Sequence, residues 1–99
     1  MAYSNDQRVS WEPAPVKFGD TVHVNYDGLL KNSGASEVYA HYGFDGWKNS
    51  NTVKMDKKSN GVFSVEIPVH ASHEINLCFK DAADNWDNNS GWNWKIDVI

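Results

Sequence analysis

Hydrophobic and polar residues alternate with a period of two along most of this chain. Val22, Val24 and Tyr26 alternate with Thr21, His23 and Asn25, and Val38, Ala40 and Tyr42 with Tyr39 and His41. Val53 and Met55 make a short stretch. Phe63, Val65 and Ile67 make a longer one, then Ile75, Leu77 and Phe79, then Trp92, Trp94, Ile96 and Val98. A period of two turns every second side chain to the same side, so each run predicts a strand with one buried face. No segment carries the 3.6-residue period of a helix. Between the runs stand Asp27-Gly28, Asn32-Ser33-Gly34, Asp45-Gly46, Asn60-Gly61 and Ser90-Gly91, residues that tolerate the positive φ of turns. Six or more short antiparallel strands, each with one apolar face, predict an all-β, antiparallel two-sheet β-sandwich of the immunoglobulin-like kind.

Residues 1–12 are polar and are expected to be a frayed or linking segment. Pro13 and Pro15 stiffen the chain where the fold is expected to begin, which leaves 13–99 as the sandwich. A chain of 99 residues has room for one domain with one modest core, and not for separate catalytic and substrate domains. The Met1 start and the strand-like run at the end suggest a module taken from something longer. The residues from Met1 to Arg8 lack the apolar stretch of a signal peptide.

The net charge of −4, with no basic run, argues against nucleic acid and anionic membrane surfaces as partners. Apolar stretches of a few residues do not span a bilayer. The single cysteine, Cys78, forms no internal disulfide and says nothing about redox compartment. Aromatic content changes the picture more. Five Trp, four Tyr and four Phe are more than so small a core readily hides.

Parity divides these rings. Tyr26, Tyr42, Phe63, Phe79, Trp92 and Trp94 share faces with Val, Ile and Leu, as core residues do. Tyr39 and His41 lie opposite Val38 and Ala40 and should point to water. Trp47 follows Gly43-Phe44-Asp45-Gly46, and Trp86 lies within Asp84-Asn85-Trp86-Asp87-Asn88-Asn89. In such polar loops a tryptophan either folds back to close an end of the sandwich or meets a ligand. The axial C–H groups of a sugar ring are weakly positive and pack on the negative face of an aromatic ring. The sugar's hydroxyls need partners that donate and accept, which asparagine amides and carboxylates supply. Flat rings beside Asp and Asn therefore suit a neutral polyhydroxylated ligand; an anionic one would call for more Arg and Lys.

The stretch from Val38 to Trp47, with Met55, Phe63 to Pro68, Ile75 to Phe79 and Trp86-Asp87-Asn88-Asn89, resembles the starch-binding modules of family 25 and, less closely, those of family 26. The resemblance runs from about Val16 to Val98. Such modules are β-sandwiches appended to amylases and related secreted bacterial enzymes, and they bind α-1,4-linked glucose chains without cutting them. Carried over, the resemblance implies that His41, Trp47 and Trp86 form the sugar platform, with Tyr39 a secondary ring and Asn88 or Asn89 a polar contact. It further implies an α-glucan partner (starch, glycogen or maltooligosaccharides), a covalently linked catalytic domain and secretion with the parent enzyme. One binding site, no catalysis and no cofactor are expected.

Asp81, Asp84 and Asp87 invite sharper chemistry. Glycoside hydrolysis needs two carboxyls about 5–5.5 Å apart, or ~6.5–9.5 Å for inversion, flanking a sheltered cleft. Three carboxylates in one polar loop are better read as turn and strand-end residues. Calcium favours closely spaced Asp and Asn oxygens, yet the order here lacks the alternation of a calcium loop, so no metal site is expected. His70 and His73 lack further ligands for zinc. The competing reading from another class is a protein-interaction sandwich that uses the exposed tryptophans as hot spots.

Overall fold

The structure, a computed structural model, describes residues 2–4, 6–89, 91 and 93–99. Trp92 and Ser90, assigned above to a core face and a turn, lie outside the described residues. Along the rest run β1 (Ala2–Tyr3), β2 (Val9–Glu12), β3 (Thr21–Tyr26), α1 (Leu29–Asn32), β4 (Val38–Phe44), β5 (Lys48–Lys54), β6 (Asp56–Lys57), β7 (Phe63–Pro68), β8 (Glu74–Asp81), β9 (Trp86–Asp87) and β10 (Trp94–Asp97). They form two sheets. The first has the order β1-β2-β3-β7-β6; the second has the order β10-β8-β4-β5, with β9 also paired to β8. Every strand pairing is antiparallel. The chain is a two-sheet β-sandwich.

The alternation read from the sequence is the alternation of burial. In β3, Val22, Val24 and Tyr26 are buried and Thr21, His23 and Asn25 are not. The inner faces interdigitate around aromatic rings: Tyr26 stacks on Phe79 with centroids 4.2 Å apart, and Trp94 meets Phe79 edge-on at 5.4 Å.

Three features depart from the sequence reading. Part of the segment expected to be frayed is strand: Val9–Glu12 pairs along β3 from Tyr26 to His23, and Val9 is fully buried. The reason is that β3 would otherwise be an open sheet edge, and one well-placed valine in a polar segment is enough to seat a covering strand. The second departure is α1, a single helical turn too short to show a period, which inserts Leu30 into the core and leaves Leu29 exposed. The third is β5. Only Val53 was legible as strand, because Lys48–Lys54 is exposed on both faces and so has no apolar alternation.

Candidate functional site

The outer face of the second sheet is where the sequence-selected rings meet. Register places Tyr39, His41 and Gly43 of β4 on this face, beside Lys80, Cys78 and Asn76 of β8. On the other side, Lys54 and Thr52 of β5 face Tyr39 and His41. Parity alone would expose Asn76 and Cys78, as their position opposite Ile75, Leu77 and Phe79 suggests, yet both are buried. Something covers them. For Asn76 it is the loop that follows β4.

That loop is built to turn back. Asp45 and Gly46 take positive φ values of 49° and 89°, and Trp47 follows at 70°. Gly43 is glycine because the returning backbone crosses it: a Cβ there would lie 2.7 Å from Trp47 Cα. The Asn76 side-chain oxygen accepts hydrogen bonds from the Gly46 and Trp47 backbone N–H groups at 3.0 and 2.9 Å, while its amide donates to Glu74 at 2.6 Å. The Asp45 carboxylate accepts from the backbone N–H groups of Ser72, His73 and Glu74. Thus held, the Trp47 ring lies nearly parallel to His41, at 19° with centroids 5.5 Å apart. His41 is itself oriented by a 2.8 Å hydrogen bond between Nδ1 and Thr52 Oγ1.

Trp86 arrives by another route. β9 pairs Trp86 with Lys80 and Asp87 with Phe79, so adjacent residues point to opposite faces. Asp87 goes inward, where its carboxylate accepts a 2.5 Å hydrogen bond from Tyr26 Oη and a longer one from the Leu29 N–H. Burial first, and then the Asp87 carboxylate, push the Tyr26 phenol well above its ordinary pKa. With Asp87 anchored, Trp86 projects outward, 48% exposed, and stands at 87° to His41 with centroids 5.7 Å apart. The Lys80 ammonium sits 5.0 Å from the Tyr39 ring centroid and 5.9 Å from that of Trp86, and pairs with Asp84 at 2.9 Å. The Tyr39 hydroxyl donates to Glu37.

The structure therefore brings His41, Trp47 and Trp86 together and sets Tyr39 beside Lys80. It gives Asn88 and Asn89 other partners. Asn88 Oδ1 accepts from the Gly91 N–H, whereas Asn89 accepts from Arg8 at 3.0 Å and donates to the Asn93 carbonyl. The sequence reading missed Gly43, Asp45, Thr52, Asn76 and Lys80. Asn76 and Lys80 carried a signal, polar residues on the outward parity of an apolar strand; Thr52 carried none, since β5 was not recognised. The acidic loop disperses into separate tasks. Asp81 braces its own turn through Ala83 and Asn85, Asp84 pairs with Lys80, and Asp87 is buried under Tyr26. No two of them are arranged around a cleft.

A larger cavity, about 710 Å³, runs along the sandwich edge past Trp11, Trp94, Asp6 and Arg8. Size alone would favour it. Several of its polar groups are, however, already matched to one another. Trp94 Nε1 donates to Asp6, Arg8 pairs with Asp6 at 3.0 Å, and Arg8 lies over the Trp94 ring. Burial pushes the Asp6 carboxyl up, but hydrogen bonds from Ser4, the Arg8 N–H and Trp94 outweigh it and hold the pKa low.

Two predictions arise from the loops. Gly43→Ala forces the Trp47 backbone away, an overpacking strain of about 1–3 kcal/mol. With half of that strain borne by the bound geometry, affinity for a ligand on these rings should drop by about two- to tenfold. A competition binding assay, with the fold checked by circular dichroism, tests this. The second concerns acid. Three backbone N–H bonds hold Asp45 below the ordinary carboxylate pKa, and the Asn85 side chain and N–H do the same for Asp81. Both pKa values are depressed in the folded state. The stability they contribute is thus complete above the unfolded value of about 3.9 and is lost as pH falls through the lower folded values. Since Asp45 braces the Trp47 loop and Asp81 the turn before Trp86, affinity for a ligand on these rings should hold at about pH 5 and fall as the pH drops below the ordinary carboxylate range. Asp45→Asn should weaken binding at pH 5 and flatten the acid profile.

One sheet of the β-sandwich thus presents a bent cluster of partly exposed rings with hydrogen-bonding groups among them. The comparisons give the class, a carbohydrate-binding module. Residues 22–77 match the family model of the starch/carbohydrate-binding module, family 53, and the chain belongs to that family. The class is the one the sequence resembles, while the family matched is 53, and the numbers 25 and 26 are not confirmed. An alpha-amylase of Clostridium acetobutylicum is 34% identical over 92 residues, which are 92% of this chain and 12% of that protein. An alpha-amylase of Niallia circulans is 32% identical over 68 residues, 65% of this chain and 5% of that one. The chain thus spans about an eighth or less of the relatives it matches. No solved structure matches it.

Proposed function

We propose that this module binds α-1,4-linked glucans without cleaving them, with His41, Trp47 and Trp86 as stacking surfaces and Tyr39 and Asn88 at the margin. The observation that carries this reading is the pair of angles at His41, 19° to Trp47 and 87° to Trp86. The two tryptophan planes are steeply inclined to each other. Successive residues of an α-1,4 chain rotate and present their faces along a curve, which fits inclined surfaces; a β-1,4 chain is a flat ribbon. Thr52, Lys54 and Lys80 surround the rings and are able to meet sugar hydroxyls, as is the amide of exposed Asn88. Asn89, held by Arg8, contributes by keeping its loop in place.

The alpha-amylase relatives support an amylase catalytic domain as the covalently attached partner, and secretion with it. The module would then raise the local concentration of that enzyme on starch. Stacking on a few open rings in competition with water should give a Kd of about 1 μM to 1 mM, or roughly −8 to −4 kcal/mol. NMR titration with maltotriose and cellotriose tests the reading. Shifts at the Trp47 and Trp86 indole N–H signals with maltotriose alone are expected. Equal shifts with both sugars would overturn the selectivity, and shifts with neither would favour a protein partner.

A further inference from the structure

The opposite side of the sandwich holds a second concavity, about 300 Å³, on the outer face of the first sheet. Its floor is Ser10 and Asn25, adjacent in the β2–β3 register, with Tyr3 opposite Ser10 across β1–β2. These residues face outward because Val9, Val24 and Tyr26 take the inward positions. The Tyr3 ring is 60% exposed. Gln7, Arg8, Asp27, Lys58, Asn60 and Val62 complete the rim.

What sets this place apart from the edge cavity is the state of its polar groups. Among the described residues, the side chains of Gln7, Ser10 and Asn25 make no hydrogen bond, although Asn25 is only partly exposed. At the border Arg8 pairs with Asp6 and Asp27 with Lys31, both at 3.0 Å, and Lys58 also lines the concavity. The concavity thus offers neutral groups that both donate and accept, beside an exposed aromatic ring. An apolar ligand would strand the Asn25 amide. A ring with C–H faces and several hydroxyls satisfies both halves of the surface.

We propose that this concavity is a second carbohydrate subsite for a neutral glucan, with Tyr3 as its stacking surface and Gln7, Ser10 and Asn25 as hydroxyl partners. The proposal rests on the carbohydrate-binding reading above and adds a site to the single one expected from the sequence. Two sites on opposite faces let one module hold two glucan chains, so its retention on multivalent starch exceeds its affinity for a short oligosaccharide.

The test is backbone NMR titration of the full chain with maltoheptaose, on the wild type, a Trp47→Ala/Trp86→Ala variant, and that variant with Tyr3→Ala added. The wild type should show two groups of shifting signals, one around His41 and one around Ser10 and Asn25, the second saturating at about tenfold higher sugar concentration. The double variant should lose the first group and keep the second, and Tyr3→Ala should remove the second. Gln7→Ala, at an exposed turn, serves as a milder variant if Tyr3→Ala disturbs β1. Shifts around His41 alone would overturn the second subsite and leave the platform standing. Shifts around Ser10 and Asn25 alone would support the subsite and overturn the platform. Silence at both would overturn both.

Discussion

Trp47→Ala should lower the affinity for maltooligosaccharides by about thirtyfold or more, and Trp86→Ala should do the same, with neither variant unfolding. Truncating a ring that carries much of a binding surface removes ~2 kcal/mol or more, and each ~1.4 kcal/mol is a factor of ten. The fold survives for reasons visible in the structure. The hydrogen bond that fixes position 47 is made by its backbone N–H to Asn76, so alanine keeps it. Trp86 is half exposed, and the anchor of its strand is the neighbouring Asp87. Isothermal titration with maltotriose or a longer oligomer gives the affinities, and thermal melts monitor the fold. Unchanged affinity in either variant would remove that residue from the platform.

Much of the fold was legible because a sandwich core writes itself into the sequence as alternation, and the runs at 22–26, 38–42, 63–67 and 75–79 all became strands. What escaped were the elements that bury little. Lys48–Lys54 is held in the sheet by its backbone pairing to β4, and Ala2–Tyr3 by its pairing to β2, and pairing leaves no periodic trace in side chains. The candidate site was legible in its rings, since an apolar ring in a polar loop or on an outward parity is an anomaly that needs an explanation. The supporting groups were less so. Trp86-Asp87-Asn88-Asn89 reads as one ligand-binding string, but a strand turns adjacent residues to opposite faces. The structure accordingly gives Trp86 to the outer face, Asp87 to the buried Tyr26 and Asn89 to Arg8. Asn76, by contrast, looks like an ordinary outward residue until the Trp47 loop is folded over it.

Trp94→Ala should produce the opposite outcome, a large loss of stability with sugar affinity unchanged wherever the domain remains folded. Trp94 is 5% exposed and meets both Phe79 and Tyr26 edge-on, at 5.4 and 6.3 Å. Replacing a buried tryptophan by alanine removes ~3–5 kcal/mol, the transfer term plus the cavity left behind. That is a large share of the ~5–15 kcal/mol that holds a typical domain together. Additional strain falls on Asp6 and Arg8, which lose the indole N–H and the ring face that Arg8 covers. At about 4–8 °C per kcal/mol for a domain of this size, the melting temperature should fall by roughly 12 °C or more. The ring lies on the inner face of the second sheet, two strands away from His41 and on the opposite face, so at low temperature maltotriose should bind as it does to the wild type. Trp94→Phe, which keeps an aromatic ring against Phe79 and Tyr26, should recover part of the loss. A Trp94→Ala variant that melts within about 2 °C of the wild type but no longer binds sugar would mean that the inward and outward faces of this sheet had been assigned the wrong way round.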